Sequence, residues 1–258
     1  YNKGSIDTAR DECMIRFENV SLAFGNRVVL NSVSFTAEFY EKIAILGGSG
    51  VGKTTLLKLI LGLLLPDEGR ILIDDEDITR MDERDLRRVR MKFSIVFQEG
   101  ALFDSLSVKE NVAFCLREFY NLTEEEIDQR VRGLLEKVGI EGAMDLMPEE
   151  LSGGMQRRVA IARSLAACEP KMILYDEPTT GLDPLTADTI CSLMNELSEG
   201  TPPDRRGLIV VTHKVTDAVK VAERFLFLRE GRISFDGGLD SLKNTEDEQL
   251  RRFINEIL

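Results

Sequence analysis

The sequence has 258 residues, of which 43% are hydrophobic and 30% charged, enough apolar material for one sizeable core and too much for a disordered chain. A formal net charge of -12, with no long lysine or arginine block, argues against a nucleic-acid partner, which needs a basic surface to release counterions from phosphates. The longest apolar stretch, residues 56–65, is broken by Lys58 and is too short to cross a bilayer, so any membrane role requires a partner that does.

Residues 1–13 are polar and unpatterned and read as a flexible leader or cloning remnant, not as a signal peptide. Short β-rich runs follow at 14–20, 28–36 and 42–46, the last apolar throughout and therefore suited to a strand buried on both faces. It runs into a glycine-rich turn and then an apolar helix expected to reach Leu65, where Pro66 and Gly69 punctuate the chain. A strand at 70–74, a polar helix near 83–90 and a strand at 93–97 come next. From about residue 100 to 167 the pattern turns helical. Thr123 and Glu126 have the spacing of a capping box, and Ile127, Val131, Leu134, Leu135 and Val138 repeat at helical intervals until Gly139.

Alternation then returns, with strand 171–175, helix 185–197, strand 207–212 and helix 215–222, closed by a hairpin of strands 225–228 and 232–235. The stretch 245–258 reads as an amphipathic helix, expected to dock on its own domain, with a partner contact as the alternative. The sum is an α/β chain: one domain over 14–240 with a helical insertion at about 100–167, followed by a C-terminal helix over 241–258. Cys13, Cys115, Cys168 and Cys191 lie far apart and form no CxxC pair, which fits reduced thiols rather than a disulfide or metal framework.

The chemistry concentrates in a few motifs. Residues 47–54, Gly47-Gly48-Ser49-Gly50-Val51-Gly52-Lys53-Thr54, match GxxxxGK[ST] between an expected strand and helix. Glycines there let successive N–H groups converge on one anion, and the new helix adds the positive end of its dipole. Lys53 is placed to neutralise β- and γ-phosphate charge, and the Thr54 hydroxyl to ligate Mg²⁺. The apolar strand ending in Asp176 and Glu177 supplies a carboxylate for Mg²⁺ and, one residue on, a base for an attacking water. His213, the only histidine, follows the strand at 207–212 and so falls near the same end of a parallel sheet, although a lone histidine is more often structural. Gln98 ends another strand, and a neutral amide there can ligate Mg²⁺ or orient a water. Ser152, Gly153 and Gly154 open a helix as a second anion-ready N-terminus. One chain has no need of two phosphate cradles, but two copies that cap each other's nucleotide do.

In this order and spacing, Phe24, GGSGVGKTT (47–55), Gln98, LSGGM (151–155), YDEPTTGLDP (175–184) and Thr212-His213 resemble the ABC ATPase family, over nearly all of 14–238. The resemblance implies a P-loop NTPase core with an antiparallel β subdomain and the inserted helical subdomain. It implies that Phe24 stacks on adenine and that the loop through Thr55 holds ATP. Thr54, Gln98 and Asp176 would serve Mg²⁺, with Glu177 as general base and His213 supporting it at the γ-phosphate. Ser152, Gly153 and Gly154 would reach the partner's nucleotide, and Asp183 would bridge the dimer interface. Met155 departs from the glutamine that many members carry, without expected loss, since serine and backbone amides do most of the phosphate work.

Residues 97–118 (FQEGALFDSLSVKENVAFCLRE) and 147–165 (MPEELSGGMQRRVAIARSL) further resemble the ATPases of Mla/Mce-type bacterial lipid transporters. This implies a homodimer on the cytoplasmic face of the inner membrane, docked through residues 98–118 on a permease and driving lipid movement, with a small regulatory subunit as a further candidate at the C-terminal helix. The alternatives are another ABC importer or exporter for a small solute or lipoprotein, a non-transport ABC protein, and a nucleotide-binding switch.

Overall fold

The computed structural model describes residues 14–167, 170–200 and 205–255. Cys13, Cys168 and the expected leader therefore lie outside the described residues, while Cys115 and Cys191 are free thiols. Burial, with Asp217 nearby as a lesser cause, pushes the Cys191 thiol up to about 12.

Two sheets carry the fold. Strands β1 (Met14–Phe24), β2 (Arg27–Glu38), β4 (Glu68–Ile73) and β5 (Glu76–Asp77) form an antiparallel sheet in the order β2-β1-β4-β5. The second sheet is built from β3 (Lys42–Leu46), β6 (Phe93–Val96), β7 (Met172–Asp176), β8 (Gly207–Thr212), β9 (Arg224–Arg229) and β10 (Arg232–Gly238), in the order β10-β9-β3-β8-β7-β6. All its pairings are parallel except the β9–β10 hairpin.

The apolar character of β3 and β7 has a direct cause, because each buries both faces. Ile43 and Ile45 point into a core shared with the antiparallel sheet and helix α1 (Lys53–Ile60), whereas Ala44 and Leu46 face the opposite core with the remaining helices. In β7, Met172 and Leu174 join the first core and Ile173 and Tyr175 the second. Tyr175 is fully buried there, and its hydroxyl has no hydrogen-bond partner among the described residues. A buried unsatisfied polar group costs about 1–3 kcal/mol. Tyr175→Phe is therefore expected to raise the melting temperature, and calorimetry giving an unchanged or lower value would refute the assignment.

Between β6 and β7 the chain is helical: α3 (Val108–Phe119), α4 (Glu124–Lys137) and α5 (Gly153–Ala166). The capping box forms as spaced, with Glu126 N donating to Thr123 Oγ1 at 3.3 Å and Thr123 N to Glu126 Oε2 at 2.8 Å. Ile127, Val131 and Leu135 are buried on the face that the periodicity marked. α3 is organised by Asn111, fully buried, whose amide bridges the Phe103 N–H at 2.8 Å and the carbonyls of Phe103, Leu106 and Ser107.

Two expectations need correction. α1 ends at Ile60, not Leu65, because Gly62 takes a left-handed φ of 59° and turns the chain. The C-terminal segment holds two short helices, α8 (Leu239–Lys243) and α9 (Glu248–Asn255), instead of one long one. The turn at Asn244–Thr245 separates them, and Asp247 caps the start of α9 through the N–H groups of Gln249 and Leu250. α9 docks on its own domain: Leu250 and Ile254 are buried, the Phe253 ring lies 5.1 Å from that of Phe227, and Asp247 pairs with Arg229. The remaining helices are α2 (Glu83–Arg90), α6 (Pro184–Ser198) and α7 (Val215–Val221). No described helix is long and apolar enough to cross a membrane.

Candidate functional site

The parallel strands bring their C-terminal ends to one edge of the sheet, and the motifs collect there. The phosphate loop leaves β3 and enters α1 at Gly52, whose φ of +113° excludes other residues in practice and whose absent Cβ would come within 2.9 Å of Val29. Phe24, Arg27, Ser49, Gly50, Gly52, Lys53, Thr54, Thr55, Gln98 and Glu177 line one cleft of roughly 380 Å³, large enough for a small ligand. Phe24 presents a ring that is 52% exposed at its mouth.

Lys53 is buried, with Nζ donating to the carbonyls of Gly47 (2.9 Å) and Gly48 (3.0 Å) and pairing with Glu177 Oε1 at 3.2 Å. The other carboxylate oxygen of Glu177 accepts from Thr180 Oγ1 (3.0 Å), Thr212 Oγ1 (3.2 Å), the His213 backbone N–H (3.4 Å) and His213 Nδ1 (2.9 Å). Accepting from Nδ1 requires the proton on that nitrogen, which turns Nε2 away from Glu177. Burial pushes the Glu177 carboxyl up, but the His213 hydrogen bond and the Lys53 charge outweigh it and hold it below the ordinary glutamate range. Its backbone is left-handed, φ 47°, a conformation that costs about 1–2 kcal/mol for a residue with a Cβ. Strain and saturated hydrogen bonding together fix this carboxylate in one place.

Asp176, one residue earlier, is buried and accepts from Thr54 Oγ1 at 3.0 Å. Burial raises its carboxyl, an effect that the Thr54 hydrogen bond only partly offsets. A carboxylate and a hydroxyl in contact are hard oxygen donors of the kind a magnesium ion takes, and Gln98 lines the cleft that Thr54 also lines. The residues present fit that ion.

The structure does not bring every expected residue to this cleft. Ser152, Gly153 and Gly154 open α5, where Ser152 Oγ accepts from Met155 N at 3.3 Å, and Ser152 and Gly154 border a separate cleft with Leu185 and Thr186. A Cβ on Gly154 would sit 2.5 Å from Thr186 Cγ2, so the glycine permits close packing against α6. Exposed Asp183 caps α6, accepting from Thr186 N at 3.1 Å and Thr186 Oγ1 at 2.5 Å. Val51 packs partly into the core. Three residues have no role in the sequence reading: Arg27, whose Nη2 donates to the Gly50 carbonyl at 2.9 Å, and the Glu177 clamps Thr180 and Thr212. The threonines lie inside motifs already singled out, whereas Arg27 had only its nearness to Phe24 as a signal.

Comparison with known proteins agrees with this geometry. The ABC transporter family profile matches residues 30–180. The intermembrane phospholipid transport system ATP-binding protein MlaF of Haemophilus influenzae is 40% identical over 241 residues, covering 93% of this chain and 90% of that protein. The glutamine transport ATP-binding protein GlnQ of Escherichia coli is 38% identical over 247 residues, covering 95% and 100%. Among solved structures, a dimeric ATP-binding cassette in a post-hydrolysis state with ADP and Pi superposes with a TM-score of 0.78 at 33% identity, covering 87% of this chain and 98% of that one. A cassette of an ABC transporter complex from Clostridium perfringens gives 0.80 at 31%, covering 96% of each. A profile over more than half the chain and relatives matched along nearly their whole length leave one assignment: the chain belongs to the ABC transporter family, as one of its ATP-binding, ATP-hydrolysing subunits.

Proposed function

We propose that the chain powers phospholipid movement between membranes of a bacterial envelope, as a homodimer seated on the cytoplasmic face of an inner-membrane permease. The observation that carries this is the near-full-length identity to intermembrane phospholipid transport ATPases. The surface next to Gln98 supports a permease contact within residues 98–118. Leu61, Leu63, Phe97, Phe103, Phe114 and Arg163 border an apolar groove of roughly 430 Å³, with Phe103 and Phe114 each more than 40% exposed and their rings 4.9 Å apart. Exposed aromatic surface of this kind suits burial by a partner helix.

In this reading ATP stacks its adenine on Phe24 and lays its phosphates along the loop, against backbone N–H groups and Lys53. Thr54, Asp176 and Gln98 would hold Mg²⁺, which withdraws charge from the phosphate oxygens when bound. Glu177 Oε1 accepts a proton from water as the water oxygen bonds to the γ-phosphorus and the bond to the bridging oxygen breaks, releasing ADP and phosphate. His213 keeps Glu177 oriented. Ser152, Gly153 and Gly154 of each copy close over the nucleotide held by the other, and Asp183 lies at the seam.

Co-expression with a candidate membrane subunit tests the substrate class. Phospholipid retained on the purified complex, and its ATP-dependent transfer between vesicles, are the expected results. The identity to GlnQ favours small-solute import as the second reading. ATP turnover stimulated by an amino acid, with no bound lipid, would replace the first by the second.

A further inference from the structure

Helix α5 presents Ser152 and the two glycines at its N-terminus, and three side-chain contacts tie its body to the segment that presents Gln98. Ser94 Oγ donates to the Ser164 carbonyl at 2.5 Å, and Arg163 Nη2 to the Gly100 carbonyl at 2.9 Å. Arg157 Nη1 donates to the carbonyls of Phe97, at 2.9 Å, and of Gln98. All three contacts fall within residues 94–100.

Arg157 is the one whose presence packing does not explain. It is 7% exposed, its Nε has no hydrogen-bond partner, and no carboxylate lies within ion-pair distance of it among the described residues. Burial lowers its pKa, with only Glu99 acting the other way. A buried guanidinium held by carbonyls alone is an expensive way to fill space, and apolar side chains of similar volume are often neutral or stabilising at such positions. What the guanidinium does offer is a grip on two successive carbonyls of one loop, which a methionine lacks.

We infer that Arg157 is a positioning residue that locks the Gln98 loop to helix α5, so that one chain's hold on its own ATP and its approach to the partner's ATP move as one body. This rests on the roles proposed above for Gln98 and for Ser152–Gly154. Gln98 lines the cleft with Lys53 and Glu177, while its carbonyl is held from α5. Rotation of α5 toward or away from a second copy therefore carries Gln98 with it. Without Arg157 the two can shift independently, and misplacement of a catalytic group by about 1 Å can cost on the order of a hundredfold in rate.

The test compares Arg157→Met and Arg157→Lys with the unaltered protein for melting temperature, fluorescent-nucleotide affinity and ATP turnover. Glu177→Gln, with and without Arg157→Met, is run alongside by size analysis in ATP and Mg²⁺. Arg157→Met is expected to melt at or above the unaltered protein, bind nucleotide within about twofold and turn over at least about tenfold more slowly. Lysine, which keeps a charged N–H donor but not the planar guanidinium, should restore part of the rate. In the Glu177→Gln background, Arg157→Met should reduce the trapped dimer. Turnover within about twofold of normal overturns the inference. So does a loss of turnover that tracks a lower melting temperature and is not rescued by lysine, since that marks a purely structural residue. If Glu177→Gln alone traps no dimer, the sandwich reading itself fails, independently of the Arg157 comparison of rate and stability.

Discussion

Glu177→Gln is expected to lower steady-state ATP turnover by about 10²–10⁴-fold, the usual contribution of a positioned general base, while ATP binding survives and the ATP-bound dimer accumulates. The geometry accounts for both halves of this result. The amide oxygen can take the place of Oε2 and accept from Thr180, Thr212 and His213, so the loop keeps its shape. The amide nitrogen then faces Lys53 as a donor facing a donor, which removes an ion pair that competes with phosphate for the lysine. Phosphate release and size analysis read the two effects separately. Turnover within about tenfold of normal would show that another group takes the proton. An acid titration adds a second check. A carboxyl held below its ordinary value in the fold stabilises it above the unfolded value, near 4.5, and that contribution is lost as the pH falls through the folded value. The glutamine variant lacks this loss, so its stability should fall less steeply below about pH 4.5.

Lys53→Met is expected to reduce both ATP affinity and turnover, the turnover by about 10²–10³-fold, the cost typical of removing one preorganised electrostatic donor. Unlike the glutamine variant it should fail at the binding step, because Lys53 is the buried cation within the phosphate loop itself. Removing it also strips Glu177 of one of the two influences that hold its carboxyl low, leaving His213 alone against burial. Titration calorimetry with ATP decides the matter, and an affinity equal to that of the unaltered protein would refute the role given to Lys53.

Most of the sheet and the glycine-rich loop was legible in the residues because their signals are local. The strand 207–212 was placed at the bounds the structure gives it, since an apolar run between polar punctuation has few other uses. The loop at 47–54 announced itself through glycine spacing, and the capping box at Thr123 formed as read. What escaped depended on tertiary contact. The length of α1 turned on Gly62, whose left-handed turn places its α-carbon beside Leu86, a neighbour distant in sequence. The break between α8 and α9 depended on Asp247 capping one helix while pairing with Arg229 on β9. Asn111 and Arg157 read as ordinary polar positions on helices, and only the carbonyls they meet show otherwise. Thr180 and Thr212 gain their importance only when Glu177 turns back across the sheet edge to meet them.

Strand β3, which feeds the phosphate loop, is hydrogen-bonded on one side to β8 and on the other to β9, both made late in the chain. A growing polypeptide therefore carries the loop's glycines and lysine long before it has anything to hold them in shape. Until residues 207–229 have emerged, β3 has two bare hydrogen-bonding edges, a species prone to pairing with neighbours of its own kind. Closing such distant pairs is slow relative to local helix formation. Nucleotide at cellular concentration binds only after that closure, so it draws the final step forward by mass action. Competence to bind ATP thus doubles as a report that synthesis and folding of the core are complete.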